Sequence, residues 1–374
     1  MIKAGILGGG QLGRMLLQAA ANYPVQTHVL EKDPECPSAH LCHRFTKGDI
    51  TRYEDVLAFG SGLDVLSIEI EQVNVEALEA LEQQGVTIIP KPATLRIIRD
   101  KIKQKQFYVD QQVPSSPFVV TQNRSELEAQ AAFLPAVHKL ASGGYDGRGV
   151  QIINTPEEIA LGFDAPSVLE KKVTVRREIS ILIAVGKDGD TAIYPPVDMI
   201  FDPQLNQLSH QIAPAQLPDT VFWKADSIAL NAVKKLNSPG LFAVEMFADA
   251  NDNVLVNEIA PRVHNSGHHT IEASYCSQFD MLWRILLGYP LGNTKSIQPA
   301  ALVNIVGAPG FEGPAYYEGL ENILSMDNVF VHIYGKAYTK PGRKMGHVTV
   351  LSSDKQDLLH RVNQIRHRLS VISR

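Results

Sequence analysis

Cysteine is scarce: Cys36, Cys42 and Cys276 are the only three in 374 residues. An odd and small number excludes a disulfide framework and points to a reducing compartment, so the cytoplasm is the expected location. Long apolar runs are missing too. None approaches the ~18 residues of a membrane span, and the N-terminus enters a strand-like run at once, without the basic segment of a signal peptide, so no membrane partner is expected. Positive charge is in short supply, 35 Lys+Arg against 40 Asp+Glu for a formal charge of -5. That leaves no basic field to hold a nucleic-acid backbone, and no nucleic-acid partner is expected. Repeats and low-complexity tracts are absent as well. What remains is an ordinary globular composition, 44% hydrophobic and 20% charged, over a length that implies two or three domains.

Ile2 to Leu7 is a short apolar run, Gly8 to Gly13 is glycine-rich, and Leu12, Met15, Leu16, Ala19 and Ala20 recur at helical spacing. This reads as strand, tight loop, helix. Further strands are expected at Thr27 to Leu30, Asp64 to Ile70 and Val86 to Ile89, with a helix at Val75 to Leu81. Strands alternating with helices imply a parallel α/β sheet. A Lys/Arg-rich helix is expected from Ala93 to about Gln112, and a domain boundary near Arg96. Beyond the break at Pro114 to Pro117, a small α+β lid is expected, with strands Pro135 to Leu140 and Val150 to Ile153 and a helix starting at Thr155. From Thr174 strands dominate, with helices near Ala225 to Leu236 and Phe279 to Leu287. A tail helix carries an apolar stripe of Leu358, Val362, Ile365, Leu369 and Ile372, and its Arg361, Arg366 and Arg368 read as a solvated face.

Gly8-x-Gly10-x-x-Gly13 sits where glycines let a backbone approach a phosphate at a helix N-terminus, and Glu31 lies where a ribose-binding acid would fall. On these residues alone a nicotinamide- or flavin-dependent oxidoreductase and a merely tight turn both stay open. Gly143 to Gly149 holds a second glycine loop between two expected strands, a hairpin flap able to fold its N–H groups over a polyphosphate, with Lys139 upstream as a point charge. A plain glycine-rich hairpin is the alternative.

Leu241 to Ala248 and Val254 to Ile259 should pair as a hairpin. With Asn251-Asp252 as a two-residue turn, Glu245 lies directly across from Glu258. Like charges with Cβ atoms ~5 Å apart repel, so the pair needs a bound cation, a shared proton or a neighbouring Lys/Arg. Magnesium bridging phosphate oxygens is the natural cation; a register shift is the alternative. The polar run Pro261 to Thr270 follows at once and reads as a substrate wall, in which Arg262 can grip an anion and His264 and His268 can donate or accept. Zinc binding at these histidines matches no defensible ligand spacing, and Cys36, His40, Cys42 and His43, which raise the same question, read as a loop after a Rossmann-like second strand. Lys336, Arg343 and Lys344 surround the turn Pro341-Gly342, either solvated or, with the helix N-terminus at Gly10, closing on a monophosphate.

The ordered combination of glycine loop, Lys, glycine flap, Glu170-Lys171-Lys172-Val173 linker and two hairpin carboxylates resembles the ATP-grasp superfamily of carboxylate–amine ligases. Segments 5–15, 143–149, 257–268 and 341–347 resemble, more narrowly, the 5-(carboxyamino)imidazole ribonucleotide synthase family. The resemblance implies an ATP-grasp fold of mixed α/β and α+β class: a Rossmann-like parallel-sheet domain (1–96), a small α+β lid (97–173) and a larger α+β domain (174–374) with a β-rich extension from about 295. It implies ATP- and bicarbonate-dependent carboxylation of 5-aminoimidazole ribonucleotide through carboxyphosphate, in a homodimer. For ATP it implies Lys101, Lys105, Lys139, Gly143, Gly144, Tyr145, Gly147, Lys171 and Asn257, with Glu170 and Val173 at the adenine edge and Glu178 at the ribose. It places Glu245 and Glu258 on two Mg²⁺ ions, which Mn²⁺ can replace. Around the ribonucleotide and bicarbonate it implies Gln11, Leu12, Glu71, Tyr145, Asp146, Arg148, Arg262, His264, Asn265, Lys336, Arg343 and Lys344. Of these, Asp146, Arg148, Arg262, His264 and Lys336 are the implied catalytic set, Asp146 orienting the amine, and Arg343 and Lys344 grip the phosphate. The chain departs from the family's pattern at Ile70, Lys101, Ala141 and Met199 to Phe201. A rival within the superfamily activates formate for glycinamide ribonucleotide and would differ at the Arg262 to His268 wall.

Overall fold

The computed structural model describes residues 1–144, 149–202 and 207–374. Strands β1 (Ile2–Leu7), β2 (Val25–Glu31), β3 (Arg44–Lys47), β4 (Val65–Ile68) and β5 (Thr87–Ile88) form an all-parallel sheet in the order β3-β2-β1-β4-β5. Parallel sheets are covered on both faces, which is why β4 is an unbroken buried run. The helix Gln11–Ala20 buries Leu12, Met15, Leu16 and Ala20, the stripe its spacing announces. Strand β3 and the helix Tyr53–Gly60 are additions to the sequence reading. Arg44-Phe-Thr-Lys lies at the sheet edge, partly exposed, and has no apolar run to reveal it.

The helix expected from Ala93 to Gln112 is in fact two, Pro92–Ile98 and Lys101–Asp110. Asp100 separates them: its carboxylate accepts from the N–H groups of Ile102 (2.9 Å) and Lys103 (3.3 Å), an N-cap that starts the chain afresh. Strands β6 (Phe118–Thr121), β7 (Ala136–Leu140), β8 (Val150–Ile153) and β9 (Ser167–Lys171) then form an antiparallel sheet in the order β6-β9-β7-β8. The helix expected at Thr155 is a single 3₁₀ stretch, Pro156–Leu161.

The largest sheet uses β10 (Val175–Val185), β11 (Thr191–Ile193), β12 (Val197–Asp202), β13 (Gln207–Ala213), β14 (Gly240–Asp249), β15 (Val254–Ala260) and β16 (Ala300–Val306). Later come β17 (Gly313–Glu318), β18 (Val329–Ile333), β19 (Tyr338–Thr339), β20 (Lys344–Leu351) and β21 (Ser370–Ser373). Its order is β15-β14-β10-β12-β13-β16-β20-β18, with β11 on β10, so the C-terminal strands continue the sheet that carries the hairpin; β19-β17-β21 form a small separate sheet. The tail helix Lys355–Arg368 buries Leu358, Val362 and Ile365, but the expected stripe overruns it: Leu369 caps the helix and Ile372 belongs to β21, paired with Tyr316.

Helix Asp219–Lys235 packs Ala225, Ala229 and Ala232 against Ile181 and Val244 of the sheet. On the other face the helix Gln278–Leu287 inserts Trp283, fully buried, whose indole N–H donates to Leu16 O (2.6 Å). Lys91 N–H donating to Ser238 Oγ (2.9 Å) adds a second tie. Together they set the glycine loop after β1 facing the hairpin β14–β15 across a cavity.

Candidate active site

The hairpin does not close on the expected two-residue turn. Asp249 N–H donates to Asn253 O (3.0 Å), and a four-residue loop, 250–253, joins the strands with Asp252 at φ 58°. Near the tip Met246 therefore faces Val256, one residue out of the expected register. A bulge at Asn257 takes up the difference, and Glu245 faces Glu258 as the spacing implied. Each carboxylate has its own basic neighbour: Lys101 Nζ lies 2.8 Å from Glu258 Oε2, and His264 Nε2 lies 3.4 Å from Glu245 Oε1. The Lys101 ammonium holds the Glu258 carboxyl well below its ordinary value, whereas burial and then the Glu258 charge raise that of Glu245.

Beside this pair, Glu170 on β9 bridges two lysines. Its Oε2 is 2.9 Å from Lys105 Nζ and its Oε1 2.9 Å from Lys139 Nζ, with all three side chains buried. Burial pushes the Glu170 carboxyl up and the two ammonium groups outweigh it, leaving it low. Lys139 also donates to Asn257 Oδ1 (2.9 Å), which joins this cluster to the bulge next to Glu258.

A cavity of about 390 Å³ opens at Glu245, Glu258 and Lys101. Gln11, Leu12, Glu71, Lys101, Gly143, Gly144, Glu245, Glu258, Arg262, His264, Asn265 and Lys344 are among the residues that line it. Arg262 Nε lies 2.8 Å from Glu71 Oε1. Gln278, buried at the first turn of an apolar helix, holds the polar wall: its Oε1 accepts from His264 N–H (2.8 Å), and its Nε2 donates to His264 O (2.8 Å) and sits 2.9 Å from His268 Nδ1. The side-chain oxygen and nitrogen of Asn265 are buried and find no partner among the described residues, the condition of a group that awaits a ligand.

The first glycine loop differs from its expectation. Gly10 N–H donates to Glu69 Oε1 (2.7 Å), Gly13 N–H to Glu69 Oε2, and Gly9 N–H to Glu31 Oε2 (3.1 Å). The helix N-terminus that was expected to take a phosphate is filled by the chain's own carboxylate, and Glu31 closes on its own loop rather than on a ribose. A Cβ at Gly8 would lie 2.7 Å from Glu69 Cγ, and one at Gly10 or Gly13 would collide with the Glu69 carboxylate oxygens. The glycines make room for Glu69, which removes the basis of the oxidoreductase reading.

Family comparisons follow this architecture. Residues 1–99 match the ribonucleotide synthetase preATP-grasp domain, 106–279 the ATP-grasp domain, and 300–361 the phosphoribosylaminoimidazole carboxylase C-terminal domain. The N5-carboxyaminoimidazole ribonucleotide synthase of Pseudomonas aeruginosa is 32% identical over 370 residues, covering 97% of this chain and 98% of that protein. The chain belongs to the N5-carboxyaminoimidazole ribonucleotide synthase family. The chloroplastic phosphoribosylaminoimidazole carboxylase of Vigna aconitifolia is 34% identical over 94% of this chain, which spans 64% of that longer protein. The synthase of Aspergillus clavatus, solved with ADP and 5-aminoimidazole ribonucleotide, superposes with a TM-score of 0.88 at 29% identity, covering 98% of this chain and 99% of that one.

Against the synthase pattern, the remaining named residues fall as follows. Lys336 Nζ donates to Lys344 O (2.7 Å) above the Tyr334 ring, and Arg343 Nη1 donates to Tyr338 O (2.8 Å). Lys171 Nζ, at the end of β9, donates to Phe133 O (2.9 Å) and Leu134 O (3.0 Å). Val173 is half-buried just beyond β9, and Glu178 on β10 faces Met199, its carboxyl raised by burial. Tyr145, Asp146, Gly147 and Arg148 lie outside the described residues. The positions that depart from the synthase pattern, Ile70, Lys101, Ala141, Met199 and Phe201, all line the cavity. His269 Nδ1 sits 2.9 Å from Gln211 Nε2, and among the described residues no group of three or more His, Cys, Asp or Glu is arranged to hold a metal. Sequence reasoning assigned no role to Glu69 or Gln278; a lone Gln opening an apolar helix was the one available signal for the latter.

Proposed function

We propose that this chain carboxylates the exocyclic amine of 5-aminoimidazole ribonucleotide at the expense of ATP and bicarbonate, a step of purine biosynthesis. The observation that carries the reading is the facing pair Glu245 and Glu258 at a cavity that Lys101, Arg262, His264 and Lys344 also line; likeness to the synthases supports the substrates. A bicarbonate oxygen attacks the γ-phosphorus and ADP leaves. The amine nitrogen then attacks the carboxyl carbon, phosphate departs with the C–O bonding pair, and the amine proton passes to a base.

Two carboxylates suit Mg²⁺, which takes one or two from protein and completes its shell with phosphate oxygens and water. Glu245 and Glu258 would hold two such ions, with Mn²⁺ able to replace them, and the metal would neutralise charge on the transferring phosphoryl group. Lys105 and Lys139, aligned by Glu170, meet the phosphates, with Lys101, Gly143, Gly144, Tyr145, Gly147, Lys171 and Asn257 around the nucleotide, Glu170 and Val173 near adenine and Glu178 at the ribose. Arg262, His264 and Asn265 bind bicarbonate and the growing carboxylate. Gln11, Leu12, Glu71, Tyr145, Arg148 and Lys336 surround the ribonucleotide, Asp146 orients its amine, and Arg343 and Lys344 grip its phosphate. Catalysis is then mainly positioning and charge neutralisation. The same reading includes domains divided near residues 96 and 173, a cytoplasmic homodimer, and no nucleic-acid or membrane partner; among the described residues no helix is long and apolar enough to cross a membrane.

The test is ADP release from purified protein with Mg-ATP, bicarbonate and 5-aminoimidazole ribonucleotide, beside formate with glycinamide ribonucleotide. Turnover independent of the aminoimidazole refutes the substrate. Glu258→Ala should lower turnover by orders of magnitude with the fold intact on circular dichroism; near-normal turnover at saturating magnesium removes Glu258 from the metal site.

A further inference from the structure

The acids at the hairpin pose an electrostatic problem that the chain answers without metal. Lys101, Lys105 and Lys139 stand against Glu170, Glu245 and Glu258, three ammonium groups with three carboxyl groups, and His264 completes the contact on Glu245. Lys101 is the member placed directly on a carboxylate of the facing pair, at 2.8 Å from Glu258 Oε2. Its backbone is fixed: it opens the helix Lys101–Asp110 behind the Asp100 cap, and its N–H donates to Ala141 O (2.8 Å). Its side chain lines the cavity.

We propose that Lys101 is a resident counter-ion that competes with divalent metal for Glu258 and is released to a phosphate oxygen only when metal and nucleotide arrive together. This rests on the reading of Glu245 and Glu258 as metal ligands and goes beyond it by saying when they bind. A bare dication entering this cluster gains less, because it must displace the Lys101 ammonium from Glu258 and stand beside the cations that remain. Metal with a nucleotide brings phosphate oxygens that take Lys101 over, so the exchange conserves the number of ion pairs. Metal and nucleotide should therefore bind with strong positive coupling, and by linkage the coupling is the same in either order of addition.

The experiment is titration of Mn²⁺ alone, followed by electron paramagnetic resonance of the free ion, on the full chain and on Lys101→Gln and Lys101→Arg. Removing the ammonium beside the proposed metal ligands removes its repulsion of the dication and should give roughly tenfold tighter Mn²⁺ binding in Lys101→Gln. Lys101→Arg, which keeps the charge, should stay within threefold of the parent. Tightening of less than threefold in Lys101→Gln, or equal tightening in both variants, overturns the proposal. Lys101→Met repeats the charge removal should Lys101→Gln fail to give the parent's circular dichroism and melting temperature. A separate arm guards the underlying reading: Mn²⁺ titrated in the presence of a non-hydrolysable ATP analogue should lose tight binding in the Glu245→Gln/Glu258→Gln double variant. Unchanged tight binding there refutes these two residues as the metal site, whatever Lys101 does.

Discussion

Glu170 is the side chain whose loss should be most informative, because two buried ammonium groups depend on it. Lys105 and Glu170 are 3% and 5% exposed at the side chain and Lys139 is 11% exposed. Glu170→Gln keeps the shape and removes the charge. Lys105 then retains Ser116 O (3.3 Å) and Lys139 retains Asn257 Oδ1 (2.9 Å), neither of them anionic. Breaking one partner out of a buried ion pair costs about 3–5 kcal/mol, and here both ammonium groups are exposed to that cost at once. Since β9, which carries Glu170, pairs with β6 and β7, the loss should appear as local opening of the lid sheet rather than of the parallel sheet. Native-state hydrogen exchange reads this directly: 3 kcal/mol corresponds to roughly a hundredfold faster exchange. Amides of β7 and β9 should lose that protection while β1 and β2 keep theirs, and a saturating ATP analogue should restore part of it by supplying phosphate oxygens to the two lysines. Less than a tenfold change in β7 and β9, or an equal change in β1, refutes the reasoning.

Three further outcomes follow from other parts of the fold. His138, fully buried with Phe163 N–H donating to its Nδ1 (3.2 Å) and Thr121 Oγ1 3.0 Å from its Nε2, is pushed down to about 4 by burial and then by Arg124. The neutral ring is favoured in the folded state, so its contribution is fully present above pH 6.5 and is lost as pH falls toward 4, at most roughly 3 kcal/mol. Lid unfolding measured from pH 7.5 to 4.5 should show this acid-side loss, and His138→Gln should flatten it; an unchanged slope in the variant counts against the assignment. Gly13→Ala should cost about 1–3 kcal/mol through its clash with Glu69. Combined with Glu69→Ala the cost should shrink by non-additivity of 0.5 kcal/mol or more in a thermal double-mutant cycle, whereas strictly additive losses would show that the glycine does not make room for Glu69. Gln278→Leu should weaken bicarbonate use, raising its KM more than it lowers the fold's melting temperature, because it frees the backbone of His264; an unchanged KM would confine Gln278 to packing.

Much of this was legible from residue order because the signals were local. The run Ile2 to Leu7 with its following helix, and the strands Ala136–Leu140 and Val150–Ile153, each carry their signal within about twenty residues of chain or fewer. The facing glutamates were legible for a partly mistaken reason: the turn is longer than expected, and a bulge at Asn257, which no spacing rule announces, restores the register. Edge strand β3 and the overrun of the tail stripe into β21 were illegible because exposed strands lack an apolar period and because Leu369 and Ile372 happen to fall at helical spacing.

The sequence by itself determined the family, the order of its motifs and the facing of two acids that calls for a cation, a shared proton or a basic neighbour, since each follows from residue type at short separation. Only the tertiary structure decided which partner each charge has. Glu69 reaches the N–H groups of Gly10 and Gly13 from 59 and 56 residues away, and Lys101 reaches Glu258 across 157. Such pairings depend on how sheets and helices are stacked, through contacts such as Trp283 on Leu16, and the free energy of burying a charge is set by whatever stands within a few ångströms of it in space.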